Sequence, residues 1–153
     1  MSEVAHIANE LKEIHDGNAW HGLSLVEALD GITPEQAAAT PLPNAHSIWE
    51  IVSHITGWEN VFRLRLEGTP AIEPEEGDFP AVKQVSHEVW AETLAQLESA
   101  HEQLLNVIKG LPDSKLDEMV AGKDYSVRFL LHATVRHHVY HAGQIALLRK
   151  AFV

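Results

Sequence analysis

Apolar side chains recur at steps of three and four residues along most of this chain. Steps of three and four place side chains on one face of an α-helix, whereas a half-buried strand would alternate apolar and polar residues. No segment shows sustained alternation of that kind. We therefore predict an all-α fold, a four-helix bundle in which each helix buries one apolar stripe. The 153 residues suit one ordinary domain, and we expect a single domain over 1–153.

Four segments carry this periodicity together with the signals that begin and end a helix. Ser47 and Glu50 form a capping box at the start of helix two, in which each side chain accepts a hydrogen bond from the backbone of the other. Gly68 and Gly110 follow the predicted ends of helices two and three. The predicted helices span residues 3–15, about 47–67, 85–109 and 126–150.

The connections between these helices also have a clear pattern. Residues 16–22 contain two glycines and an asparagine, so they interrupt the first helical arm, and Thr33 and Pro34 predict a short helical turn further on. Residues 69–84 contain three prolines and four acids and are predicted to be a loop. We expect this long loop to be a crossover between helices two and three, which lets consecutive helices run parallel.

The composition limits the expected location of the protein and the classes of partner that it could bind. The formal net charge of −11 disfavours binding to a nucleic-acid backbone, which requires clustered lysine and arginine. No apolar run approaches the roughly 20 residues that cross a bilayer, and the N-terminal residues lack the pattern of a signal peptide. We therefore expect a cytoplasmic protein with neither a membrane nor a nucleic-acid partner. The chain has no cysteine and 11 histidines, which leaves histidine and carboxylate as the available metal ligands.

Three of the histidines lie on predicted core stripes. His137 and His141 are one turn apart on helix four and about 40° apart around its axis, so they face the same way. The H-E-x-x-H zinc motif uses this spacing, but His138 replaces the glutamate that a metalloprotease requires. His54 lies on the apolar stripe of helix two. Three neutral imidazoles would leave one coordination position open, as in catalytic zinc sites.

The other histidines are not predicted to bind this metal. His132 lies on the opposite side of helix four from His141, His138 points aside, and His101 could face inward but has no partner at ligand spacing. Four further histidines are expected to be solvated: His6, His15, His46 and His87. On spacing alone, a helical bundle with hydrogen-bonded core histidines and no metal is an equal alternative.

Two segments resemble a known family. SIWEIVSHITGWE on helix two and HHVYHAGQIALLRK on helix four are similar to the DinB/YfiT-like superfamily of metal-dependent enzymes, and the resemblance extends over nearly the whole chain. It implies a four-helix bundle with a crossover after helix two, a homodimer in many members, and a histidine triad that binds a divalent metal such as zinc or nickel. The triad of the family matches His54, His137 and His141.

The remainder of the helix-four motif has one departure from the family. The residue after the first motif histidine is often aspartate and is His138 here, so the chain lacks a carboxylate at this point. Gly143 and Gln144 match the motif. We expect Gly143 to permit close approach of a neighbouring helix, and Gln144 to pack in the core or to form a hydrogen bond near the triad.

The leading functional hypothesis is a metal-dependent enzyme that acts on a small molecule. The resemblance implies either transfer of a low-molecular-weight thiol to an electrophile or hydrolysis. No catalytic side chain is identified, although Glu59 is a weak candidate for a general base. The pocket is predicted to be lined by Trp20, His21, Trp58 and Tyr140. The alternative is a noncatalytic metal-binding bundle with a role in stress or ligand binding.

Overall fold

The computed structural model describes residues 1–153 and is built from helices and irregular connections, with no β-sheet. The prediction of an all-helical bundle is confirmed. None of the helices combines the length and apolar character needed to cross a membrane. The α-helices are α1 (Glu3–Asp16), α2 (Leu25–Leu29), α3 (Pro34–Ala38), α4 (Ile48–Leu66), α5 (His87–Lys109) and α6 (Val127–Arg149), and a short 3₁₀ helix spans Asp113–Lys115.

The long helices α1, α4, α5 and α6 begin and end within two residues of the predicted positions. A serine precedes each of them, and its hydroxyl accepts a hydrogen bond from the backbone amide three residues later. These N-caps satisfy amides that have no partner within the helix, which fixes the start of each helix. The capping serines are Ser2, Ser47, Ser86 and Ser126.

The connection between α4 and α5, residues 67–86, is held against α4 by one buried arginine. The guanidinium of Arg65 donates to the carbonyl oxygens of Ala71 and Ile72 at 2.8 and 2.7 Å. A further hydrogen bond of 3.0 Å reaches the hydroxyl of Tyr125. Residues later in the same connection contact His54.

The apolar core is divided into two clusters with polar side chains at the level between them. On α6, Leu131 belongs to one cluster and Ala142 to the other, and buried His138 lies between these positions. On α4, Ile55 and Phe62 belong to different clusters. We call the buried polar side chains at this level the polar layer: His15, His54, Glu59, His101, His138 and His141.

Candidate metal centre

The three histidines predicted from the sequence come together between α4 and α6. One ring nitrogen from each of His54, His137 and His141 lies within 4.8 Å of the others. The Nε2 atoms of His54 and His137 are 3.0 Å apart, and the ring centroid of His141 is 4.5 Å from each of the other two. We call this group the His54 triad.

The outer nitrogens of two triad rings are held by hydrogen bonds. Nδ1 of His54 donates to the backbone oxygen of Asp78 at 2.7 Å, and Nδ1 of His141 donates to Oε1 of Gln144 at 2.6 Å. When Nδ1 of a neutral imidazole carries the proton, Nε2 of the same ring has a free electron pair and is the atom that can bind a metal. Gln144 therefore forms the hydrogen bond near the triad that was one of its two expected roles.

Burial keeps the triad in the neutral form that binds metals. Loss of hydration lowers the pKa of all three imidazoles, and neighbouring imidazoles lower the pKa of His137 further, to about 3. At neutral pH the group therefore presents three uncharged nitrogen donors. Three imidazoles with two fixed outer nitrogens form a group that could hold a metal ion.

Two residues of the long connection cover the triad. The ring of Phe79 stacks on His54 at 4.0 Å between centroids, and His46 stacks on Phe79 at 3.7 Å. Oδ1 of Asp78 lies 3.1 Å from Nδ1 of His54 and accepts a hydrogen bond of 2.7 Å from the indole of Trp58. The sequence alone does not reveal the roles of Asp78 and Phe79, because a residue in an irregular loop has no periodicity from which its position can be inferred.

The predicted pocket residues do not form one group. Trp20 is fully exposed and His21 is exposed, so neither lines a pocket as predicted. Trp58 is half-buried and supports Asp78, and the mostly exposed Tyr140 has its ring centroid 5.1 Å from that of His141. The break between α1 and α2 leaves Trp20 and His21 in solvent because no helix packs over them.

Gly143 also differs from its predicted role. It is exposed, and a Cβ atom added there would meet nothing within 4 Å. The residue is therefore not needed for close approach of a neighbouring helix.

Several polar residues outside the triad are buried in positions that differ from those predicted from the sequence. His15 was expected to be solvated and His138 to point aside, but their side chains are 0% and 1% exposed. His101 faces inward as predicted, and it has close partners in His15 and Glu59. Glu59 contacts these histidines rather than the triad, which removes it as a general base for the triad. His138 is buried because α6 contacts α1 as well as α4, so α6 buries a wider arc than one stripe.

Comparisons with known proteins agree with the helix-two and helix-four motifs. A comparison with curated proteins finds no match. The model of the DinB superfamily matches residues 20–145, a range that includes all three members of the His54 triad and covers most of the chain. The chain belongs to the DinB superfamily.

Proposed function

We propose that the protein is a metal-dependent enzyme that acts on a small molecule at the His54 triad, with zinc or nickel as the metal. The observation that carries this proposal is the donor set, which consists of three neutral imidazoles from two helices and contains no carboxylate. These three ligands would hold a divalent metal with one coordination position left for a water or thiol, and the metal would lower the pKa of that molecule to give a nucleophile near neutral pH.

The surrounding residues orient the ligands. Asp78 holds His54, and Gln144 holds His141. The carboxylate of Asp78 is already engaged by His54 and Trp58. A bound metal would activate the nucleophile at such a site. The reactions we propose there are transfer of a low-molecular-weight thiol to an electrophile and hydrolysis.

A cavity beside the triad suits a small substrate. It has a volume of about 320 Å³, within the range common for small-molecule sites. Gln144, which holds His141, lines it together with His46, and most of the remaining wall is apolar. We assign this cavity to the electrophilic substrate, because it adjoins Gln144, which holds His141, and its apolar wall would bind the body of the molecule.

The test uses untagged protein loaded with zinc or nickel. Thiol transfer and hydrolysis are each assayed against the His141→Ala variant, with His132→Ala on the same helix as the matched control. We expect His141→Ala to lose at least about 100-fold in rate, because a metal ligand is removed, and His132→Ala to retain the wild-type rate. A rate for the wild type no higher than for His141→Ala in both reactions rejects the enzyme. Metal bound without turnover would support the noncatalytic alternative instead.

A further inference from the structure

A second group of histidines lies in the polar layer, apart from the triad. One ring nitrogen from each of His15, His101 and His138 lies within 4.8 Å of the others. The three residues come from α1, α5 and α6 and are 0%, 3% and 1% exposed. We call this group the His15 cluster. His15 precedes the range that matches the family model.

The outer nitrogen of each ring in the His15 cluster faces a carboxylate. Nε2 of His15 lies 2.9 Å from Oε2 of Glu98. Nδ1 of His101 and Nδ1 of His138 lie 3.0 and 3.4 Å from the same oxygen, Oε1 of Glu59. Carboxylates in this position commonly orient metal-binding histidines, because the ring that donates its outer N–H turns its other nitrogen toward the metal.

The inner nitrogens have no adequate hydrogen-bond partners. Nδ1 of His15 and Nε2 of His138 are 3.4 Å apart, longer than the usual range of about 2.7–3.2 Å. The separation matches the roughly 3.4 Å expected between two nitrogens on one tetrahedral zinc ion. Nε2 of His101 is buried with no partner at all. A buried acceptor without a donor costs free energy, and a cation would remove this cost.

We infer that His15, His101 and His138 hold a second divalent metal ion inside the helical bundle, separate from the His54 triad. The ligand atoms are Nδ1 of His15 and Nε2 of the other two rings. Glu98 and ionised Glu59 accept the outer N–H groups and balance the two positive charges of the ion. This inference does not depend on the activity proposed for the triad.

Binding changes one contact of the His15 cluster. The rings of His15 and His101 are stacked face to face, with centroids 3.6 Å apart and planes 3° from parallel. The electron pairs of two stacked rings lie in two parallel planes, so one ring must turn for both nitrogens to point at the same ion. In the metal-free arrangement, Oε2 of Glu59 and Nε2 of His101 are both buried without a hydrogen-bond partner.

The surface offers a route to this group. A cleft of about 390 Å³ between α1 and α5 has His101 on its wall, together with Glu98 and Asp16. Its acidic side chains attract cations, although Lys12 and Lys109 also line it. The cleft therefore reaches the side chain of His101 from a face of the bundle that does not include the His54 triad.

The test counts zinc ions per chain by elemental analysis of untagged full-length protein after loading and desalting. We expect about two ions in the wild type and about one in the His137→Ala/His141→Ala variant, which retains only the His15 cluster. Adding His101→Gln to this variant should remove the remaining ion. Adding His87→Gln, an exposed histidine on the same helix, should not.

Two outcomes would overturn the inference. One is a His137→Ala/His141→Ala variant that folds and binds no zinc, and the other is zinc that His101→Gln leaves in place. If circular dichroism shows that His101→Gln is unfolded, His15→Gln replaces it. The zinc count in the His137→Ala/His141→Ala variant tests the second site in either case.

A further measurement uses Glu59→Gln, which should weaken zinc binding to the cluster by about 10- to 100-fold while the triad keeps its affinity. An unchanged affinity would contradict the role given to Glu59.

Discussion

His137 and His138 are adjacent in the sequence but belong to different groups of histidines. Consecutive residues on an α-helix point about 100° apart, so one helix can direct neighbouring side chains to two sites. His137 faces His54 on α4, whereas His138 faces His15 on α1. A substitution at His137 should therefore affect the His54 triad, and a substitution at the adjacent His138 should affect the His15 cluster.

The hydrogen bond from His141 to Gln144 gives a prediction for metal affinity. Gln144→Leu keeps the size of the side chain but removes the acceptor that orients the ring. We expect zinc affinity at the triad to fall by about 10- to 100-fold without loss of the fold, as is typical when such an acceptor is lost. Competition with a chromogenic chelator measures the affinity, and Gln103→Leu on the exposed face of α5 is the control. Equal affinity in the two variants would show that Gln144 only fills space.

Glu59 predicts a pH dependence of stability in the metal-free chain. Burial raises the pKa of this carboxyl from 4.5 to about 8, so the folded state keeps a proton that the unfolded chain releases, and stability falls as the pH rises through this window. Burial lowers the pKa of His101 from 6.5 to about 4, which has the opposite effect below pH 6.5. Only the effect of Glu59 remains above pH 6.5.

We therefore expect the free energy of unfolding to fall between about pH 6.5 and 8 when a chelator is present. Glu59→Gln should remove this fall, because the amide has the shape of the acid and carries no titrating proton. Urea unfolding at a series of pH values measures the effect. Parallel pH curves for the wild type and Glu59→Gln would show that another group causes the change.

At the scale of elements, the contact between α4 and the long connection controls the position of Asp78. Gly57 lies on α4, and a Cβ atom added there would come within 2.9 Å of the ring of Pro74. We expect Gly57→Ala to displace the connection, to lengthen the contact from His54 to the Asp78 carbonyl, and to weaken zinc binding at the triad. Isothermal titration of the metal-free protein measures this loss.

The matched control for this substitution is Gly143→Ala on α6. An added Cβ meets nothing there, so this change should stabilise the helix by about 0.5–1 kcal/mol and leave zinc affinity unchanged. Weaker binding in both glycine variants would indicate that helix rigidity, rather than the position of the connection, affects the triad.

Local signals in the sequence predicted the helices and the His54 triad but not their surroundings. The capping box of Ser47 and Glu50 indicated where α4 begins, and helical periodicity placed His54, His137 and His141 on core stripes of α4 and α6. The burial of His15 depends on how α1 packs against α5 and α6, which no pattern within α1 specifies. The position of Phe79 depends in the same way on the path of an irregular connection.

On the scale of the whole molecule, the polar layer lies where a bundle of this size would otherwise have a continuous apolar core. Buried imidazoles and a carboxyl stabilise a fold less than leucines of similar volume, because their desolvation offsets their mutual interactions. The layer is therefore better explained by ligand binding than by stability. If ligand binding accounts for the polar layer, the fold is more stable when metal occupies the layer than when it is empty.

The corresponding prediction compares the wild type with a variant in which His15, Glu59, His101 and His138 are all leucine. In the presence of a chelator, we expect the variant to be as stable as the wild type or more stable by about 1–4 kcal/mol, because buried polar groups have been replaced by apolar ones. Zinc at about 100 times its dissociation constant should then stabilise the wild type by about 2.7 kcal/mol for each occupied site. The variant should gain this stabilisation only from zinc bound at its triad. Urea unfolding with chelator and with zinc measures both differences. A variant less stable than the wild type by several kcal/mol in chelator would mean that the His15 cluster contributes to folding through its own hydrogen bonds, without a metal.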